Sequence, residues 1–185
     1  MTGGAWVAVL RFAVGGRPVG ASRPRVAAGR AYMPAGHVSA ERGMSDAFRW
    51  AAVHSAATTR GALDEPVRVD VTLVAARPQR LRRKRDPDGR IPRACGKPDA
   101  DNAAKLVMDA LVKALVLRDD TLVCVLHVER WYAARDEGAA TEVVVSTWRD
   151  GAEGAEGRAG PLPLPPPGGG TFLRSRARSD QKNGI

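Results

Sequence analysis

Between Lys97 and Cys124 the chain reads KPDADNAAKLVMDALVKALVLRDDTLVC, and several of its residues bear on chemistry. Asp99 and Asp101 are two apart where a helix is expected to begin, so both carboxylates can face one space. Lys105 follows Asp101 by one helical turn on the same face, and Asp109 follows by one more. Asp119 and Asp120 come after the helix and lead into the next expected strand. Carboxylate oxygens suit a hard cation such as Mg²⁺, with water and a substrate phosphate completing its shell. Such a cation lowers the pKa of its water, offsets charge on phosphoryl oxygens and aligns in-line attack. A neighbouring ammonium stabilises the charge that develops. Three aspartates and a lysine are therefore sufficient for phosphodiester hydrolysis.

Each feature also has a plainer reading. An aspartate opening a helix is a common cap, Lys105 and Asp109 at i, i+4 make an ordinary surface pair, and Asp119-Asp120 suits a turn. The short connection Val116–Arg118 leaves open whether an aspartate beyond the helix can reach the pair at its start. Cys95, Cys124, His37, His54 and His127 show no zinc-ligand spacing, and the two cysteines make no disulfide framework. Neither glycine-rich nucleotide motif, GxxxxGK[ST] or GxGxxG, is present.

These residues need elements to hold them. Trp6–Val14 reads as a strand, and the segment from Gly15 to Pro34, rich in Gly, Pro and Arg, as an extended loop. A helix is expected over 45–59, with Ser45 as its N-cap and Phe48, Ala51, Ala52 and Ser55 on one face. Val67–Ala75 alternates cleanly, with Val67, Val69, Val71 and Leu73 on one side and Arg68, Asp70 and Thr72 on the other. A loop follows from Arg77 to Lys97. The helix expected over 101–116 carries Ala104, Val107, Met108, Leu111 and Leu115 as a single apolar stripe. Strands at 122–131 and 141–148 are joined by a polar turn at 135–138. The order implies a mixed α+β (α/β) domain, a mixed β-sheet with helices packed on it, over residues 1–149. Residues 150–185, Pro/Gly-rich and then basic, read as a disordered tail.

The net charge of +9 is unevenly distributed. Residues 1–40 hold five arginines and no acid, and residues 77–97 hold nine Lys and Arg against Asp86 and Asp88. The rest of the domain is net acidic. Basic arms flanking an acidic region fit a polyanion gripped around carboxylates; a genome that favours arginine explains some of the charge but not its separation. With 44% hydrophobic residues a packed core is expected. No apolar run is long enough to span a bilayer, and no N-terminal charged region precedes an apolar one. A cytoplasmic protein without membrane association is expected.

KPDADNAAKLVMDAL with the later RDD resembles the signature of the RusA family of Holliday-junction resolvases: K-P-D-x-D-N, a lysine one turn on, D-A-L and a D-D pair. The earlier GRPVGASRPRVAAGRAYMP resembles that family's G-x-P-x-x-x-x-R-P-R stretch, in the expected order, so the resemblance covers roughly residues 8–148. It implies that Asp99, Asp101 and Asp120 bind Mg²⁺, with Mn²⁺ a substitute, and that Lys105 is catalytic. Asp119 and Asp109 become secondary acids. It further implies a homodimer with a mixed α/β subunit that cuts DNA four-way junctions. Arg23, Arg25, Arg80, Arg82, Arg83, Lys84, Arg85 and Lys97 are the expected DNA contacts. The loop Gln79–Arg93 is longer and richer in arginine than the family pattern, and the tail has no counterpart in it. A protein that holds branched DNA without cutting, and a Mg²⁺-dependent nuclease for another nucleic acid, are the alternatives.

Overall fold

The computed structural model describes residues 3–54, 61–94 and 96–151. In chain order the elements are β1 (Gly4–Gly15), β2 (Arg25–Ala27), β3 (Arg30–Tyr32), α1 (Ala35–His54), β4 (Val67–Ala75), β5 (Ile91–Pro92), α2 (Ala100–Lys113), β6 (Val123–Tyr132) and β7 (Ala140–Asp150). Five strands form one sheet in the order β1-β7-β4-β6-β5, while β2 and β3 pair separately. β4 and β6 are parallel and the other neighbours antiparallel. This is a mixed sheet with two helices packed on it, the expected α+β fold.

The alternation of β4 puts Val67, Val69, Val71 and Leu73 on the covered face, each at most 1% exposed. In register beside them are Val143 and Val145 of β7, and beyond these Leu10 and Phe12 of β1. Helix α1 lays Met44, Phe48 and Ala51 on that layer, with the Phe12 and Phe48 rings 4.0 Å apart. Helix α2 adds Ala103, Leu106, Val107, Ala110 and Leu111. Although β6 and β7 follow one another in the chain, β4 lies between them.

Four expectations change. Helix α1 begins at Ala35, so Ser45 is not its cap; the Ser45 hydroxyl donates to the Ala110 carbonyl in α2 at 3.4 Å. The first half of the helix hides its period because its buried positions include His37, Glu41 and Ser45; residues 55–59 lie outside the described residues. The Gly15–Pro34 loop contains the β2–β3 hairpin, turned by Ala28 and Gly29, both at positive φ. All six hairpin residues are exposed. The basic loop is not continuous either, since it holds a short 3₁₀ turn at Gln79–Leu81 and the strand β5.

Helix α2 stops at Lys113, before the expected end, and Leu115 is not part of its apolar stripe: it is 74% exposed. The Leu115 N–H donates to the Val112 carbonyl and the Val116 N–H to the Leu111 carbonyl, each at 3.0 Å, the paired bonds of a Schellman stop. That stop needs its C′ residue left-handed, and Leu115 has φ 59°. A glycine takes this conformation freely whereas a leucine is strained. Leu115→Gly is expected to stabilise the fold by about 1 kcal/mol, read as a higher urea midpoint; a lower midpoint would mean that the exposed side chain contributes more than the strain costs.

Candidate active site

The first acidic pair sits where two segments distant in sequence meet. Asp99 occupies the N-cap of α2 and Asp101 its first turn, both exposed. Asp99 makes no side-chain capping bond, so its carboxylate is not spent on the helix; Asp101 is not the cap residue. Both carboxylates lie at the N-terminal end of the helix, where its dipole is positive and backbone N–H groups lack intrahelical partners. Against this start packs the arm from Arg17 to Pro24. The Ala21 N–H donates to the Asn102 carbonyl at 2.7 Å, and a Cβ on Gly20 would come within 2.9 Å of the Pro98 Cβ. The next backbone N–H, that of Ser22, donates to Nδ1 of buried His37 at 3.2 Å. Gly20 and His37 thus seat the arm on the acidic motif, with exposed Arg23 and Arg25 just beyond. No sequence pattern marks His37, because its partner is a backbone amide 15 residues away.

Lys105 lies one turn past Asp101 and is exposed. Asp109 is half-buried, and it forms no ion pair with Lys105, so the plain surface-pair reading does not hold. Among the described residues, Asp119 and Asp120 lie apart from the first pair. Helix α2 has 14 residues, a length of about 21 Å at 1.5 Å per residue. Its start is tied near the end of β6, where Ile91 and Pro92 of β5 pair with Tyr132 and Trp131 and the Arg130 guanidinium donates to the Gly96 carbonyl. Its end leads into the start of β6, where Val123 pairs with Val67. The pair Asp99/Asp101 and the pair Asp119/Asp120 are thus held at opposite ends of one helix.

The two later acids also differ from each other. Asp119 accepts the Thr121 N–H at 2.8 Å as the cap of a 3₁₀ turn at Asp120–Leu122. Hydrogen bonding from Thr121 holds its carboxyl below the usual range. Asp120 opens that turn and is exposed. Among the described residues no group of three or more His, Cys, Asp or Glu is placed to hold a metal ion. The chemistry of the donors nonetheless fits a hard cation, since all are carboxylates and Asp99 is free of capping duty. What one chain does not supply is their convergence.

The basic loop is a built object. Arg77, only 3% exposed, donates to the carbonyls of Ala133 at 2.8 Å, Pro87 at 2.6 Å and also Gly89. Arg135 reaches the carbonyls of Arg83 at 2.7 Å and Asp86 at 2.9 Å and the carboxylate of Asp88. Arg90 is clamped by Glu142 and Glu137, which push its pKa up. Burial opposes ionisation of Glu137, yet hydrogen bonds from Arg90 and the Ala134 N–H, with the charge of Arg90, together hold that carboxyl below its ordinary value. Arg82 directs its Nε to the Arg77 carbonyl at 3.1 Å. Arg80, Arg82, Arg83, Lys84 and Arg85 are all exposed, as is Lys97 before the helix. Replacing Arg77 with Met should cost about 3 kcal/mol, because the buried Ala133 carbonyl and several half-buried ones lose their donor. Lys84→Ala should change stability by less than about 0.5 kcal/mol. Urea unfolding of the two variants compares them; equal losses would refute the division between staple and free charge.

Among known protein families, the model described as endodeoxyribonuclease RusA matches residues 15–146. No curated protein matches the chain. The matched span runs from the arm that packs on Pro98 to the strand β7, and includes both acidic pairs, Lys105 and the stapled basic loop.

Proposed function

Since this chain belongs to the RusA family of endodeoxyribonucleases, we propose that it resolves DNA four-way junctions in the cytoplasm by paired, Mg²⁺-dependent phosphodiester hydrolysis as a homodimer. The observation that carries the proposal is the pair Asp99/Asp101, exposed at a helix start with Lys105 one turn on and a stapled arginine loop nearby in sequence. Asp99 and Asp101 from one chain would hold the cation, with the third carboxylate, Asp120, supplied by a second copy, because within one chain it lies beyond the far end of α2. When bound, Mg²⁺ supplies Lewis acidity toward the phosphate and lowers the pKa of a bound water. Lys105 places an ammonium beside the reacting phosphate, where it offsets the charge that builds there. Asp109 lies on the same helix behind Lys105, and Asp119 holds the turn that presents Asp120.

The remaining contacts follow from charge. Arg23 and Arg25 on the arm, Lys97, and Arg80 to Arg85 grip phosphates on either side of the acids, and the segregation of charge in the sequence supports this. Two incisions in strands of like polarity need two sites, and an isologous dimer matches the two-fold character of a junction.

Asp101→Asn and Asp120→Asn are expected to lower cutting of a supercoiled cruciform plasmid by at least about 100-fold, while junction binding persists or tightens as a negative charge near phosphate is removed. The wild-type protein should convert the plasmid mainly to linear product, and only with Mg²⁺ or Mn²⁺. Near-wild-type cutting by both variants would overturn the assignment of the acids. Junction binding by the wild-type protein with no cutting at any Mg²⁺ concentration would instead identify a branched-DNA-binding protein.

A further inference from the structure

We infer that Arg93 and Arg130 form a clamp for a DNA backbone phosphate beside the start of α2, an inference that rests on the nuclease reading above. Pro92 pairs with Trp131 where β5 ends, and the next residue, Arg93, donates its N–H to the Arg130 carbonyl at 2.9 Å. The two arginines therefore lie on adjacent backbones at the edge of the sheet. Each guanidinium turns toward the loop that enters α2. Arg93 Nη2 donates to the Lys97 carbonyl at 2.6 Å, and Arg130 Nη2 donates to the Gly96 carbonyl. The Arg93 guanidinium stands 5.7 Å from the centre of the Tyr132 ring. Glycine at 96 permits this approach, because a Cβ there would lie 2.9 Å from Arg93 Nη2.

The remaining donors are unmatched. Arg93 Nε and Nη1 and Arg130 Nε are buried without a hydrogen-bond partner, and among the described residues neither arginine is paired with an acid. Among the described residues the other arginines withdrawn from water are all answered: half-buried Arg68 by Asp70, buried Arg77 by carbonyls, half-buried Arg90 by Glu137 and Glu142, and half-buried Arg135 by Asp88. Two neighbouring cations partly withdrawn from water without a counter-charge are costly unless an anion joins them. The guanidinium fork matches the oxygens of a phosphodiester, which a lysine does not match as well. The carbonyls that hold the pair, those of Gly96 and Lys97, belong to the residues just before Asp99, so a phosphate held there lies next to the acids. Arg93 and Arg130 act as positioning residues: they seat the backbone and leave the chemistry to the aspartates and Lys105.

The test uses the full chain, a synthetic four-way junction and the variants Arg93→Gln, Arg130→Gln and the double variant, since Gln retains a donor for the loop carbonyls. Junction affinity is measured against salt without divalent metal, and thermal melting checks the fold. The double variant should bind about tenfold more weakly or worse, with the slope of log affinity against log salt lower by about 0.9 for every phosphate no longer neutralised. Unchanged affinity and slope in a folded variant would overturn the clamp, as would a lowered melting temperature with an unchanged slope, which marks the pair as scaffold. If the Gln variants do not fold, Arg93→Lys and Arg130→Lys are compared with the wild type on junctions carrying one neutral methylphosphonate linkage at a time. The linkage that weakens wild-type binding should weaken the Lys variants less, and equal sensitivity at every linkage would refute the clamp. Failure of the wild-type protein to bind or cut any junction with Mg²⁺ would overturn the nuclease reading itself, whereas wild-type cutting with insensitive variants would overturn the clamp alone.

Discussion

The direction and length of α2 decide where the acids of this chain can act. The helix begins where β5 closes on the last residues of β6 and ends where β6 begins, so it runs back across the sheet with an acidic pair beyond each end. Its buried face of Ala103, Leu106, Val107, Ala110 and Leu111 pins it to the core, and its ends cannot be drawn together without undoing that packing. Gly20, Pro98 and His37 fix the arm on one end; the Schellman stop at Leu115 and the cap at Asp119 fix the other. A helix of about 21 Å thus holds apart two acidic pairs that lie close together in the sequence.

Arginine plays two physical roles in the domain. Arg77, Arg90 and Arg135 are internal braces whose forks take up carbonyls and carboxylates, and they keep the segment between β4 and β5 in one shape. The exposed Arg80, Arg83, Lys84 and Arg85 are then presented on a prepared surface. Less conformational entropy is lost when such a surface binds a polyanion than when a floppy loop does. The net charge of the loop is thus a poor guide to its binding capacity, since part of that charge is consumed inside the protein.

The long strands and the central helix are legible in the sequence, β4 and the helix because their periods are clean. Val67–Ala75 alternates without interruption and appears as β4 with the same ends. The first half of α1 is not legible, because His37, Glu41 and Ser45 occupy buried positions where apolar residues would mark the face. Glu41 is acceptable there through its ion pair with Lys113 at 2.5 Å, an interaction spanning 72 residues that no local pattern reveals. The β2–β3 hairpin is hidden because it has no buried face at all. For the site, the residue types and spacings at Asp99, Asp101, Lys105, Asp119 and Asp120 can be read directly, but their separation cannot. Spacing along a chain does not say whether a helix brings its ends to one place or holds them apart.

The central claim is that each cutting site combines Asp99 and Asp101 of one chain with Asp120 of another. Mixing distinguishable Asp101→Asn and Asp120→Asn subunits and isolating the mixed dimer tests it most directly. In a shared arrangement one site of that dimer carries both substitutions and the other carries neither, so nicking of a cruciform plasmid should return, with nicked circles in place of linear product. A mixed dimer as inactive as either parent, beside a tagged wild-type dimer prepared the same way that cuts fully, would contradict the account and place each complete acid set within a single chain.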